Sequence, residues 1–205
     1  MITFKGKYGS LPGDFNRASI MVSPDAFNGD NNGEIDRLAP PNAHSNALNE
    51  ELFMWQHLGL AKLIKGSYNG LYHDVKKFSD IGNNSPLVAG FDSATILPRY
   101  HTGAPLYGHA GGHFFMVGVG SSDLGSAGMP IGGVMTASDA KQIDDKLDDG
   151  VALTGMVNAT NGLTGTAVHT GCLDNNTLYY ARAGAGNYDL TTGKKTCMMV
   201  KWTNF

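Results

Sequence analysis

Charge is scarce in this 205-residue chain: Asp, Glu, Lys and Arg make up 16% of it, against about 25% in an average soluble protein. The 15 basic and 18 acidic residues leave a net charge of −3, and no basic run occurs anywhere. That excludes a nucleic-acid surface, which needs clustered Lys and Arg to displace counterions, and argues against a polybasic membrane contact. No stretch approaches the roughly 18 apolar residues of a spanning helix. The chain opens Met1-Ile2-Thr3-Phe4-Lys5 without the apolar segment of a secretory leader, a beginning that a trimmed secreted protein and a cytosolic one share. Nucleophile and phosphate motifs are also missing. Ser121-Ser122 lies outside any Gly-x-Ser-x-Gly elbow, and Gly118-Val119-Gly120 lacks the third glycine and following helix of a dinucleotide fingerprint. Only two cysteines are present, Cys172 and Cys197. An even count in so charge-poor a chain leans towards an oxidising compartment and one bridge, the alternative being two buried free thiols.

What the chain does have is small polar residues and turns, with 28 Gly and 8 Pro. Its length suits one domain, 1–205, able to bury roughly 70% of its unfolded surface. Residues 1–45 are punctuated too often for any helix beyond Met1–Tyr8. The clearest helix spans 46–65: Ser45 or Asn46 caps it, Glu50 and Glu51 fall in the first turn, Lys62 and Lys65 in the last, and Leu48, Leu52, Trp55 and Leu58 form an apolar stripe that Gly66 terminates. A second helix is predicted over 138–148, capped by Ser138, burying Ala140, Ile143 and Leu147 and ended by Gly150. Strand-like segments are 86–89, 94–97, 113–119, 154–159, 177–183 and 196–202, with 113–119 as the central strand.

Three constellations carry possible chemistry. Asn28-Gly29-Asp30-Asn31-Asn32-Gly33-Glu34-Ile35-Asp36 follows the calcium-loop pattern: Asn28, Asp30, Asn32 and Asp36 offer side-chain oxygens at positions 1, 3, 5 and 9, Gly33 makes the turn, Glu34 offers its carbonyl, and Ile35 anchors the loop. Position 12 is Ala39 rather than a bidentate acid, so Asp25, Glu50 or Glu51 would have to complete a Ca²⁺ shell; the alternative is an ordinary Asn/Gly/Asp turn. His109-Ala110-Gly111-Gly112-His113 has the spacing of a helical zinc pair, but its glycines disfavour the helix. His57 reads as a half-buried structural histidine. Asp144, Asp145, Asp148 and Asp149 around one helix read as a solvated helix end before they read as a general acid and base. These patterns leave a non-catalytic protein ahead of an enzyme.

Lys7-Tyr8-Gly9-Ser10-Leu11-Pro12-Gly13-Asp14 resembles the point where the long N-terminal helix of a type IV pilin-like protein enters its globular head. Further pieces follow in the same order: the 28–36 loop, Trp55–Gly70 with its WQHL and LAKLI stretch, and Ile143–Gly150 with its DDG ending. Cys172–Cys197 sits where many pilins close a C-terminal disulfide loop. Together these pieces resemble the type IV pilin and type II secretion pseudopilin superfamily, although 71–135 has no counterpart and the apolar helix with its glutamate is not in this sequence.

The resemblance implies an α+β head: the end of an N-terminal helix, residues 1–8, packed with a second helix on a small antiparallel sheet, with long loops and a disulfide-closed 172–197 loop. It implies a non-catalytic filament subunit whose partners are other pilin or pseudopilin subunits and an inner-membrane assembly machinery. Such a subunit is anchored in the inner membrane of a Gram-negative bacterium with a periplasmic head, then incorporated into the pilus or pseudopilus. A carbohydrate-binding adhesin displaying Tyr68, Tyr72, Tyr100 and Tyr107, and a metal hydrolase using His109 and His113, are the alternatives.

Overall fold

The structure is a computed structural model and describes residues 2–36, 49–71, 79–106, 109–119, 130–164, 167–168, 170–174 and 186–203. It mixes helices with a small antiparallel sheet. Four helices, α1 (Ile2–Tyr8), α2 (Ala18–Met21), α3 (Glu50–Leu60) and α4 (Ala137–Leu147), accompany strands β1 (Ala94–Leu106), β2 (His109–Val119), β3 (Val157–Asn161), β4 (Leu163–Thr164), β5 (Ala167–Val168) and β6 (Cys197–Thr203). The main sheet runs β1-β2-β6-β3, and β4 pairs with β5 separately. Every pairing in the main sheet is antiparallel. β2 is inside the sheet, as its continuous apolar run predicts. It begins at His109 rather than His113 because its partner β1 runs on to Leu106, with the register shifting between Thr102 and Leu106.

Two hydrophobic clusters divide the core. One gathers α1, α3 and the loops around them: Phe4, Leu11, Phe15, Ile35, Leu52, Met54, Trp55 and Leu58, with Leu97 of β1. The other gathers Phe114 and Met116 of β2, Met198, Val200 and Trp202 of β6, Val157 and Ala159 of β3, and Ala137 and Ala140 of α4. Burying one large apolar side chain stabilises by roughly 1.5–3 kcal/mol. A seven-residue helix such as α1 cannot support itself; Phe4 is fully buried and stacks near Tyr8, Phe15 and His57.

The structure corrects several sequence expectations. α3 ends at Leu60, not at Lys65, and Lys62 (φ 57°) takes a left-handed turn before Gly66. Its proposed caps Ser45 and Asn46, and Leu48, lie outside the described residues. α3 is not amphipathic: everything from Glu50 to Leu58 is buried, because loops 9–36 cover the side turned away from β1. α4 is capped by Thr136 rather than Ser138 and starts at Ala137. The Thr136 hydroxyl accepts from Asp139 N–H, and the Asp139 carboxylate accepts from Thr136 N–H, a reciprocal box. Its buried face is Ala137, Ala140 and Asp144, while Leu147, expected inside, is 57% exposed. Residues 86–89 form no strand beyond a single bridge, Leu87 to Thr95, since Pro86 has no N–H to donate. The early region contains the one-turn α2, and residues 177–183 lie outside the described set.

Cys172 and Cys197 form a disulfide, with Cα atoms 4.9 Å apart. Cys197 begins β6, and its N–H donates to the Met135 carbonyl, so the bridge ties the C-terminal segment directly to the sheet. Among the described residues no helix is long and apolar enough to cross a membrane.

Candidate functional site

The 28–36 loop is seated by the turn at Pro12–Asp14. Gly13 adopts φ +100°, and a methyl there would sit 2.5 Å from the Glu50 carbonyl oxygen. The turn therefore lies directly against the start of α3, at a distance only glycine permits. The Gly13 N–H donates to His57 Nδ1 at 2.9 Å, leaving His57 Nε2 to donate to the Phe27 carbonyl at 2.7 Å. One buried imidazole thus links α3 to both loops. Ile35 is fully buried, and its N–H donates to His113 Nε2 at 3.0 Å.

Three carboxylates converge inside this frame. Asp14, Asp30 and Glu50 each bring an oxygen within 4.8 Å of the other two. Glu50, the first residue of α3, is 0% exposed and Asp14 is 2% exposed. Glu50 Oε1 accepts from Asp30 N–H at 2.9 Å and Oε2 from Asp36 N–H at 3.3 Å. In return the Glu50 N–H donates to the Asp36 carbonyl at 3.2 Å. Asp14 Oδ2 accepts from Gly33 N–H at 3.2 Å and from the Ser10 hydroxyl at 3.4 Å, whereas its buried Oδ1 has no hydrogen-bond partner. Burial pushes the Glu50 carboxyl up to about 8, with the Asp14 and Asp30 charges adding to the rise. Asp14 and Asp36 are raised as well, burial again the main cause and Asp30 an added one. Burial and mutual repulsion thus both disfavour the charged forms of these acids.

The five loop residues expected as ligands part company. Asp30 joins the trio. Asn28 turns to α2, its side chain accepting from Ser19 N–H at 2.9 Å and donating to the Ser19 hydroxyl at 3.0 Å. Asn32 folds back on the loop: it donates to both Asp30 oxygens, at 3.0 and 3.1 Å, and accepts from Glu34 N–H at 2.7 Å. Asp36 lies beside Glu50 with its own Oδ1 buried and without a partner. Of the residues offered for the missing position, Glu50 meets the loop. Glu51 instead pairs with Arg99 at 3.4 Å, Asp25 is exposed, and Ala39 lies outside the described residues. Asp14 was not foreseen; nothing in linear spacing links residue 14 to residue 50.

The remaining candidates have partners within the fold. His57 is fully rather than half buried; burial lowers both His57 and His113 to about 4. His109 stacks on Trp202 at 4.3 Å and reaches the Gly155 carbonyl at 2.8 Å, so it and His113 have separate partners. Tyr68 packs near Trp55 and Tyr100 against His113; Tyr72 and Tyr107 lie outside the described residues. A second trio, Asp144, Asp148 and Asp149, also converges within 4.8 Å. Asp144 accepts from the Tyr188 hydroxyl at 2.8 Å and Gly150 N–H at 3.3 Å. Asp148 accepts from the N–H groups of Met156 and Val157, and Asp149 from Val151 N–H and the Thr154 hydroxyl. Lys141 and Asp145 form an exposed ion pair at 2.7 Å. Compared with known proteins, the chain matches no family model, no curated protein and no solved structure.

Proposed function

We propose that this chain is the head of a type IV pilin-like or pseudopilin-like filament subunit, working by assembly rather than catalysis. The observation that carries the reading is α1. Phe4 plugs a short helix into the α3 cluster, with Thr3, Lys5 and Lys7 exposed around it. In the filament reading α1 is the head-proximal end of a longer apolar helix that anchors the subunit in the inner membrane and later forms the filament core. The antiparallel sheet and the disulfide at its C-terminal strand agree with such a head. The histidines best suited to chemistry are occupied by backbone groups, which favours a non-catalytic role.

The test is made on the natural gene in its own host, with antibody against the head. The expected result is recovery from the envelope or from sheared surface filaments, with N-terminal processing lost when the prepilin peptidase is deleted. A head found only in the soluble fraction, with Met1 of this sequence as its mature N-terminus, overturns the reading.

A further inference from the structure

Three features around the 28–36 loop belong together. Three carboxylates from three separate segments, the Pro12–Asp14 turn, the loop and the start of α3, bring oxygens within 4.8 Å of one another. Two of these residues, Asp14 and Glu50, are at least nine-tenths buried. Asp14 Oδ1, inside the protein, accepts no hydrogen bond among the described residues. A buried carboxylate oxygen without a donor is destabilising, and like charges this close add to that cost. A cation removes both penalties at once.

We propose that Asp14, Asp30 and Glu50 bind one calcium ion that fastens the 28–36 loop to the start of α3. All the donors are hard oxygens, and no nitrogen or sulfur ligand joins the group among the described residues, which selects against zinc and copper. Oxygens on opposite sides of Ca²⁺ are about 4.6–5.2 Å apart, from bond lengths of about 2.3–2.6 Å, and the trio fits inside that span. The ligands come from a turn, a loop and a helix end, an irregular set that Ca²⁺ tolerates and Mg²⁺, with its strict octahedron, does not. The site departs from a single-loop calcium hand: the loop gives Asp30, and the acids that the loop lacks come from residues 14 and 50. It is independent of the filament reading and stands if that reading fails.

The experiment uses the purified head, stripped with EGTA and titrated with CaCl₂ or MgCl₂, and reads calorimetric heat together with the thermal melt. Binding in the range of extracellular calcium modules, about 0.1–1 mM, is expected, with the melting temperature rising by several degrees at 10 mM Ca²⁺. Asp30→Asn, at an exposed position where folding is not at stake, weakens Ca²⁺ at least tenfold. Asp14→Asn does the same wherever it folds. Asp149→Asn, in the second trio, leaves the calcium response intact. The proposal is overturned if the wild type shows neither heat nor a shift with Ca²⁺, if Asp30→Asn responds like the wild type, or if Asp149→Asn abolishes the response. An equal response to Mg²⁺ overturns the choice of calcium.

Discussion

Among the described residues, two acidic trios are built to opposite plans. Around Asp144, Asp148 and Asp149 the chain brings its own donors: the N–H groups of Gly150, Val151, Met156 and Val157 and the hydroxyls of Thr154 and Tyr188. Asp149 is exposed, and the Thr154 hydroxyl and Val151 N–H hold its carboxyl below the usual range. No oxygen of this trio is buried without a partner among the described residues. Around Asp14, Asp30 and Glu50 the donors fall short, two of the three residues are buried, and the shortfall collects at Asp14 Oδ1. Carboxylates in proximity therefore say little by themselves. Whether the backbone supplies enough N–H groups separates a turn lock from a cation site. The contrast extends to the surrounding regions: the second trio belongs with the sheet, α4 and the disulfide, the first with α1, α3 and loops joined by buried histidines.

The largest effect expected is on the covalent side of that contrast. Opening the Cys172–Cys197 bridge, by reductant or by replacing both cysteines with alanine, frees a 25-residue separation and costs on the order of 3 kcal/mol in the chain-entropy model. In a chain of this size that lowers the melting temperature by roughly 6–12 °C. Amide exchange should quicken in β3 and β6 before it does at Gly13 or Ile35. Equal loosening of both regions would show that they unfold as one unit and that the division holds only for the charges.

Acid probes the other side. His57 and His113 are lowered from 6.5 to about 4, chiefly by burial. The unfolded chain therefore takes up protons near 6.5 that the native state refuses until about 4. Their contribution to stability is whole above pH 6.5 and is lost as pH falls towards 4. Asp14, Asp36 and Glu50 run the other way, since burial raises them, so a global melt mixes the two. A local readout separates them: ring resonances of both histidines should stay neutral below pH 5.5. Protection at Gly13 and Ile35, whose N–H groups the rings accept, should fall with acid while β6 is unaffected. Ring titration near 6.5 would remove the buried-histidine link.

How much of this was legible in the sequence follows from distance along the chain. Local signals served well. The 113–119 run marked an inner strand, Phe4 lay within the one helical stretch expected before residue 45, and the cysteine pair and the Gly/Asn/Asp loop stood out by composition. Boundaries failed where a neighbour decided them. Leu147 reads as core by hydropathy, but Asp144 takes the buried place because Tyr188 and Gly150 satisfy it. Glu50 and Glu51 read only as first-turn acids, and both are buried, Glu50 under the 28–36 loop and Glu51 against Arg99. Asp14 carried no linear sign of its partner, since only the Gly13 turn, pressed on the Glu50 carbonyl, brings the two together.

The smallest effect compares the two helix starts. α4 is capped by its own residues, with Thr136 accepting from Asp139 N–H at 3.1 Å and Asp139 accepting from Thr136 N–H at 3.2 Å. α3 has no side-chain cap hydrogen bond at Asn49; its first N–H goes to the Asp36 carbonyl and its first side chain holds the loop. Thr136→Ala should therefore cost about 1 kcal/mol, roughly 2–4 °C, by the same amount in EGTA and in calcium. Asp30→Ala, at the other helix, should cost more in calcium than in EGTA, because its carboxylate there holds the ion that holds the loop. Melts of the two variants in both buffers decide the matter. A calcium-independent penalty at Asp30 would mean that the α3 start is secured by hydrogen bonds alone, as the α4 start is; a calcium-dependent one at Thr136 would mean that calcium also acts at α4.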